Sequence, residues 1–237
     1  MDFSYFDGVS IIVPMYNGVE FLSTSIPSIQ KQTYPYWETI IGINGHEKDS
    51  AIFNETKKYE TITENGFKSI YVKHYTTKGK VDTCNEMIKD CKFNTICLLD
   101  VDDFWIPEKL EKQMEVWKTN KYDVVGTFCR YFGDSNGYPN IPGGEIDNKI
   151  FLECNVIINS SCMIKKQDAF WVDRFNLEDY DMWNRLAYEN KKFYNIPEFL
   201  TFHRIHRQSA FNNTNYNYVP DLLKYWKSKY YKYQSKN

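Results

Sequence analysis

Residues 9–13 read VSIIV and are closed by Pro14. An apolar, β-branched run with no polar alternation has no face for water, so it demands a strand covered on both sides. Parallel sheets flanked by helices provide that cover. The pattern recurs at 39–43, 69–75 and 95–99, the last reading TICLL. Between and after these runs lie segments with helical character at 18–32, 51–65, 81–91 and 107–119. In the first, Asn17 suits an N-cap and Phe21, Leu22, Ile26 and Ile29 form an apolar stripe, while Pro27 predicts a kink or a late start. In the last, Pro107 stands near the first turn, with Glu108 and Glu111 placed to complement the helix dipole. Strand and helix thus alternate four times, which predicts an α/β fold: a Rossmann-like, doubly wound, mostly parallel central sheet flanked by helices.

The texture changes after Tyr122. Residues 123–132 read as a strand, 133–144 as a Gly/Pro/Asn-rich loop, 156–164 as a strand and 179–190 as a helix. Residues 220–237 form a Lys/Tyr/Trp tail suited to a short basic helical extension, more simply a solvated terminal helix than a membrane or acceptor contact. No internal repeat is visible, so we expect one domain over 1–210 and a basic aromatic tail over 211–237.

Composition narrows the function classes. With 42% hydrophobic and 25% charged residues, the 237-residue chain is neither disordered nor collagenous nor a disulfide-dense scaffold. Its net charge of -2 lacks the basic excess of a nucleic-acid binder. Six cysteines without C-x-x-C spacing argue against a zinc knuckle or a thioredoxin-type site. The start lacks a basic, signal-like region, and no apolar stretch approaches the ~20 residues of a transmembrane span. The expectation is a reduced, cytoplasmic protein, with peripheral contact at a membrane surface left open. N-x-S/T matches at Asn54, Asn159 and Asn212 read as chance.

The most informative stretch is LLDVDDFWIPEKL, residues 98–110. A buried strand runs straight into three aspartates and then a proline-started helix. Residues i and i+2 of an extended chain point the same way, so Asp100 and Asp102 share a side. That places two carboxylates at the C-terminal end of a parallel strand, where open α/β sheets bind ligands. Unpaired, they repel and one pKa rises; a divalent cation bridging to a diphosphate removes the repulsion, and hard oxygen ligands suit Mg²⁺ or Mn²⁺. The plainer reading is that these acids cap the following helix, and Asp103 alone fits that.

Five pieces occur in order: VSIIVPMYNG at 9–18, GK-x4-N at 79–85, the stretch just described, LEDYDMWNRLA at 177–187 and HRIHRQS at 203–209. Together they resemble the family 2 glycosyltransferases of the GT-A fold, over roughly residues 9–210. The resemblance implies a metal-dependent, inverting transfer of a sugar from a nucleoside-diphosphate sugar, UDP-linked by family habit, to an acceptor hydroxyl. Residues 9–120 would be the nucleotide-binding half and 121–210 the acceptor-side half. Pro14 and Tyr16 would hold the nucleobase, together with Asn44, which stands where the family usually has an aspartate. Its amide oxygen can still accept from uracil N3–H. Lys80 and Asn85 would approach the nucleotide, and Val101 lies in the same nucleotide-contacting turn. Asp100 would meet the ribose or the metal shell, and Asp102 would be the principal ligand of Mn²⁺ or Mg²⁺, with His206 as a further ligand. Arg204 would anchor a phosphate or a loop. Asp179 would be the general base, with Asp181 as the rival. Trp105 is either an acceptor-pocket wall or a buried ring, and Trp183 and Arg185 read as packing residues. Acceptor specificity is expected in 133–159 and the tail, where no motif is readable.

Two other readings compete. A sugar-1-phosphate nucleotidylyltransferase would carry a Gly-rich basic loop after the first strand, whereas PMYNGVEF has one glycine and no Lys or Arg. An inactive nucleotide-sugar-binding module is kept open by Asn44 and opposed by Asp100, Asp102 and Asp179.

Overall fold

The structure is a computed structural model and describes residues 7–207 and 217–234. The first half alternates as the sequence predicts: β1 (Val9–Met15), α1 (Leu22–Gln30), β2 (Trp37–Asn44), α2 (Ala51–Lys57), β3 (Ser69–Tyr75), α3 (Lys80–Asp90) and β4 (Thr95–Leu98). Every residue of β1 and β2 is buried, the physical reason their sequences show no polar alternation. The second half contains β5 (Phe104–Trp105), α4 (Lys109–Trp117), β6 (Val124–Gly133), β7 (Gly144–Ile146), β8 (Met163–Lys165), α5 (Glu178–Tyr188), β9 (Phe193–Ile205) and α6 (Val219–Gln234).

One curled sheet has the order β3-β2-β1-β4-β8-β6-β9-β5, with β7 added against β9. The first four strands are mutually parallel, β8 runs antiparallel between β4 and β6, and β6 and β9 form a long parallel pair. Side chains alternate across β1. Ile11, Val13 and Met15 join a core with Ile26, Leu110 and Met114, whereas Ile12 joins the core of Met87, Trp183, Leu222 and Trp226 on the other face.

Three sequence expectations need correction. The helix expected over 51–65 ends at Lys57, and Thr61 pairs with Ile70 instead. The β-branched run Thr61-Ile62-Thr63 and the turn at Asn65-Gly66 explain why the helix does not continue. The strand expected over 156–164 shrinks to β8, because Asn159–Ser161 form a 3-10 turn whose short polar side chains bond locally and to the β4 end. The tail is helical but not simply solvated. Leu222 and Trp226 of α6 are buried in the same core as α5, and Trp226 Nε1 donates to Asp181 Oδ1 at 2.8 Å. The strand β9 has no counterpart among the sequence expectations.

The expected start signal of α1 also differs. Asn17 does not cap the helix; a 3-10 turn over Val19–Phe21 precedes it, entered through Gly18 at φ 101°. A Cβ at Gly18 would lie 2.9 Å from Val101, so glycine there lets this turn approach the aspartate stretch. All six cysteines are unpaired, five of them buried. Among the described residues no helix is long and apolar enough to cross a membrane. The first six residues, Ser209 of the last motif and Asn212 lie outside the described residues.

Because α6 is part of the core, Trp226→Ala should destabilise the domain by about 3–5 kcal/mol, the usual cost of truncating a buried tryptophan. Urea denaturation of the two proteins measures this directly. A change below about 1 kcal/mol would mean that α6 is only loosely attached.

Candidate active site

The site forms at the C-terminal ends of β1, β2 and β4, where the parallel strands open. After β4 the chain turns tightly, with Asp103 N–H donating to the Asp100 carbonyl at 3.0 Å. This turn carries the three aspartates, and each has a different environment.

Asp100 Oδ1 pairs with Lys80 Nζ at 2.7 Å, and Oδ2 accepts from Asn159 Nδ2 and Ser160 Oγ, each at 3.3 Å. Burial pushes its carboxyl up, but the Lys80 charge outweighs burial and holds it below the usual carboxylate range. Lys80, from the start of α3, also lies 3.7 Å from Glu178 Oε1 at the start of α5. One ammonium therefore links the β4 turn to the start of α5.

Asp103 has no exposure at all. Its Oδ1 accepts the Arg204 N–H at 2.8 Å and its Oδ2 accepts from His203 Nδ1 at 3.0 Å. Burial would lower the imidazole's pKa, but the hydrogen bond and charge of Asp103 win and raise it to about 9. Arg204 Nε donates to the Asp102 carbonyl at 3.1 Å, and its guanidinium sits 4.8 Å from the Phe21 ring and 4.3 Å from the Phe132 ring. The end of β9 is thereby fastened to the aspartate turn, and Asp103 is a buried tie rather than a helix cap.

Asp102 and His206 meet as a result, His206 Nε2 lying 2.8 Å from Asp102 Oδ2. Burial raises the Asp102 pKa, and the neighbouring charges of Asp103 and Asp100 raise it further, while the His206 hydrogen bond opposes them. A hard carboxylate oxygen and an imidazole nitrogen converge there, and this donor set fits a divalent cation. Among the described residues no group of three such side chains gathers. Among the described residues, Asp102 and His206 are thus the pair that would face such a cation.

At the neighbouring strand ends, Met15 lies opposite Ile43; Tyr16 follows in the turn just past β1, and Asn44 is the last residue of β2. Tyr16 is 57% exposed and stacks on His46, with ring centroids 4.9 Å apart. His46 Nε2 donates to the Tyr16 carbonyl at 2.5 Å, and His74 Nε2 to the His46 carbonyl at 2.6 Å. Gly45 has φ 73°, and a Cβ there would lie 2.5 Å from the Tyr16 ring, so glycine makes room for this platform. Asn44 is nearly buried, and its side chain makes no hydrogen bond among the described residues. Val101 packs against Gly18.

On the other wall, Asp179 sits in the first turn of α5 and is half-buried. Its Oδ1 accepts the Tyr180 N–H at 2.8 Å and its Oδ2 accepts from Asn155 Nδ2 at 3.3 Å. Burial and then the Glu178 charge push its pKa up to about 6, against the opposing charge of Lys80. Its rival Asp181 is buried and committed to Arg174 Nε at 2.9 Å and Trp226 Nε1 at 2.8 Å, so it joins α5 to α6.

Not every residue singled out from the sequence faces this cleft freely. Asn85 is engaged at both ends of its amide by the Trp171 peptide, at 2.9 and 3.0 Å, and so anchors the segment that leads into α5. Trp105 is buried with its Nε1 on the Ser160 carbonyl at 2.7 Å, Trp183 lies in the core, and Arg185 donates to the carbonyls of Asp168 and Phe170. Conversely, Asn155, Asn159 and Ser160 touch Asp179 and Asp100, and the sequence reading assigns none of them to the site. Asn159 enters it only as a chance N-x-S match, Asn159 and Ser160 fall in a stretch that reads as a strand, and Asn155 directly precedes that stretch.

The sequence profile of Glycosyl transferase family 2 matches residues 10–213. The chain is 30% identical over 221 residues to the O-antigen biosynthesis glycosyltransferase WbnJ of Escherichia coli, an alignment covering 89% of this chain and 84% of that protein. It is 26% identical over 214 residues to the UDP-Glc:alpha-D-GlcNAc-diphosphoundecaprenol beta-1,3-glucosyltransferase WfaP of Escherichia coli, covering 86% and 80%. Among solved structures, S. aureus TarS 1-349 in complex with UDP-GlcNAc superposes with a TM-score of 0.73 at 15% identity, over 92% of this chain and 66% of that one. The mannosyltransferase PcManGT from Pyrobaculum calidifontis, in complex with GDP-Man and Mn²⁺, gives 0.66 at 11% identity, over 96% and 70%. At these identities the structural likeness is one of fold, and that fold is GT-A.

The His203–Asp103 pair makes stability pH-dependent. A histidine whose folded pKa is raised stabilises fully below its unfolded value of about 6.5 and loses that contribution as pH rises through about 9. The thermal midpoint of the metal-free protein should fall across that window, and His203→Gln should flatten this part of the profile. An unchanged slope in the variant would assign the dependence to other groups.

Proposed function

The chain belongs to glycosyl transferase family 2, and we propose that it moves one hexosyl or N-acetylhexosaminyl unit from a nucleoside-diphosphate sugar to an acceptor hydroxyl, with inversion at the anomeric carbon and with Mn²⁺ or Mg²⁺. The observation that carries this reading is the pair of contrasting carboxylates. Asp102 lies against His206 in the turn after β4, and Asp179, with its pKa pushed up to about 6, lies at the start of α5. One suits a cation beside a diphosphate, and the other is poised as a base near neutral pH.

In this reading Asp179 takes the proton from the acceptor hydroxyl as its oxygen bonds to the anomeric carbon. The bond from that carbon to the diphosphate oxygen breaks on the opposite face, and the nucleoside diphosphate leaves. A cation held by Asp102 and His206 would supply Lewis-acid stabilisation of the leaving diphosphate. Lys80 adds positive charge between the two sides while keeping Asp100 ionised.

A UDP-linked donor is the first choice, since one relative is named for UDP-Glc. The Asn44 amide offers one acceptor and one donor, which suits the N3–H and carbonyl edge of uracil; the N1–H and O6 edge of guanine presents the same pair, so Asn44 does not by itself choose the base. Both nucleotide classes occur among the structural likenesses, UDP-GlcNAc in one and GDP-Man in the other. A growing glycan is the acceptor class best matched to the relatives, one named for O-antigen biosynthesis and the other for a GlcNAc-diphosphoundecaprenol acceptor.

Acceptor-independent hydrolysis of UDP-glucose and UDP-GlcNAc with Mn²⁺ tests the reading. Asp102→Ala should abolish metal-dependent turnover, and retention of full activity would remove Asp102 from the metal site. Asp179→Asn should lower turnover by roughly 10²–10⁴-fold and leave UDP affinity nearly unchanged. Because the base must be ionised, kcat/KM should decline as pH falls through about 6. A profile flat between pH values of about 5 and 8 would contradict Asp179 as the base.

A further inference from the structure

The segment between the 3-10 turns at Asn148–Leu152 and Asn159–Ser161 lies against α5 and reaches the proposed base. Tyr180 Oη donates to the Phe151 carbonyl at 2.9 Å, and Asn148 Nδ2 donates to the carbonyls of Ala187 and Lys191 at 3.2 and 2.9 Å. Both ends of α5 are thus tied to the 3-10 turn that leads into this segment. Within it, Asn155 Oδ1 accepts the Ile157 N–H at 3.2 Å, a turn of the Asx type. That bond fixes which end of the amide turns outward, so the NH₂ group is the end that meets Asp179 Oδ2.

We infer that Asn155 is a positioning residue for the transfer reaction: its amide fixes the rotation of the Asp179 carboxylate and favours the ionised form. The inference rests on the reading of Asp179 as the general base. A hydrogen bond donated to a carboxylate stabilises its charged state. The other charged groups that act on Asp179 are Glu178 on its own helix, Asp100 on the β4 turn and Lys80 on α3. Two carboxylates thus work against one ammonium, and the Asn155 amide adds a neutral donor on the ammonium's side. Asn155 also belongs to the 133–159 region, in which acceptor recognition is expected, so the same segment would set both what enters the acceptor site and how the base is aimed.

Asn155→Asp separates the positioning role from a structural one. Aspartate has the same size and keeps an oxygen for the Ile157 N–H, so the turn stands. It replaces the donor with a second carboxylate oxygen beside Asp179. The acid limb of kcat/KM for Mn²⁺-dependent UDP-glucose hydrolysis should move up by about one pH unit, with activity recovered on the alkaline side and UDP affinity unchanged. Asn155→Ala should lower kcat by about tenfold without changing the donor KM, because the base is less well aimed. The inference is overturned if the limb of Asn155→Asp stays at the wild-type position while Asp179→Asn has lost it. If Asp179→Asn retains the limb, the base assignment itself fails and the inference with it.

Discussion

The arrangement of the site depends on a buried carboxylate that touches no water. Asp103 is fully enclosed, and a charge in that position must be paired or it costs several kcal/mol. Its partners are the Arg204 amide and the His203 imidazole, at the far end of the longest strand of the fold. Satisfying Asp103 therefore draws the end of β9 back onto the turn that follows β4. The meeting of Asp102 with His206, the bond from Arg204 to the Asp102 carbonyl and the placing of Arg204 between Phe21 and Phe132 all follow from that closure.

A second tie crosses the cleft. Lys80 contacts Asp100 in the β4 turn and Glu178 beside the proposed base, so α3, the β4 turn and the start of α5 share one electrostatic cluster. The cluster keeps two neighbouring carboxylates different. Asp100 is held ionised by direct contact with the ammonium, whereas Asp179, desolvated and next to Glu178, is raised to about 6. Environment alone thus separates the pKa values of two carboxylates within one site.

The parts of the fold legible in the sequence are those in which one local pattern has one structural solution. VSIIV and TICLL admit only a doubly covered strand, and the aspartates after TICLL fall at the strand end because β4 stops there. The strand β9 is hidden because its pairing is non-local. It runs parallel to β6 with register shifts near Phe128, and Pro197 and Glu198 interrupt any alternation. The tail misleads in a different way. Its lysines suggest solvation, yet Leu222 and Trp226, four residues apart on one helical face, are what α6 buries. Asn155, Asn159 and Ser160 carry no local signal, since their importance lies in which carboxylates the fold brings to them. Asp179 and Asp181 look equivalent in sequence, and only the packing of Trp226 and Arg174 shows that Asp181 is committed to structure.

The central claim is a single displacement at the anomeric carbon, assisted by a base and without a covalent sugar–enzyme intermediate. Proton NMR of the sugar first released from UDP-α-D-glucose in the presence of Mn²⁺, read before the anomers equilibrate, tests it most directly. The account predicts that the β-anomer is released first. Initial release of the α-anomer would mean net retention, and would contradict both Asp179 as a general base and attack from its side of the cleft.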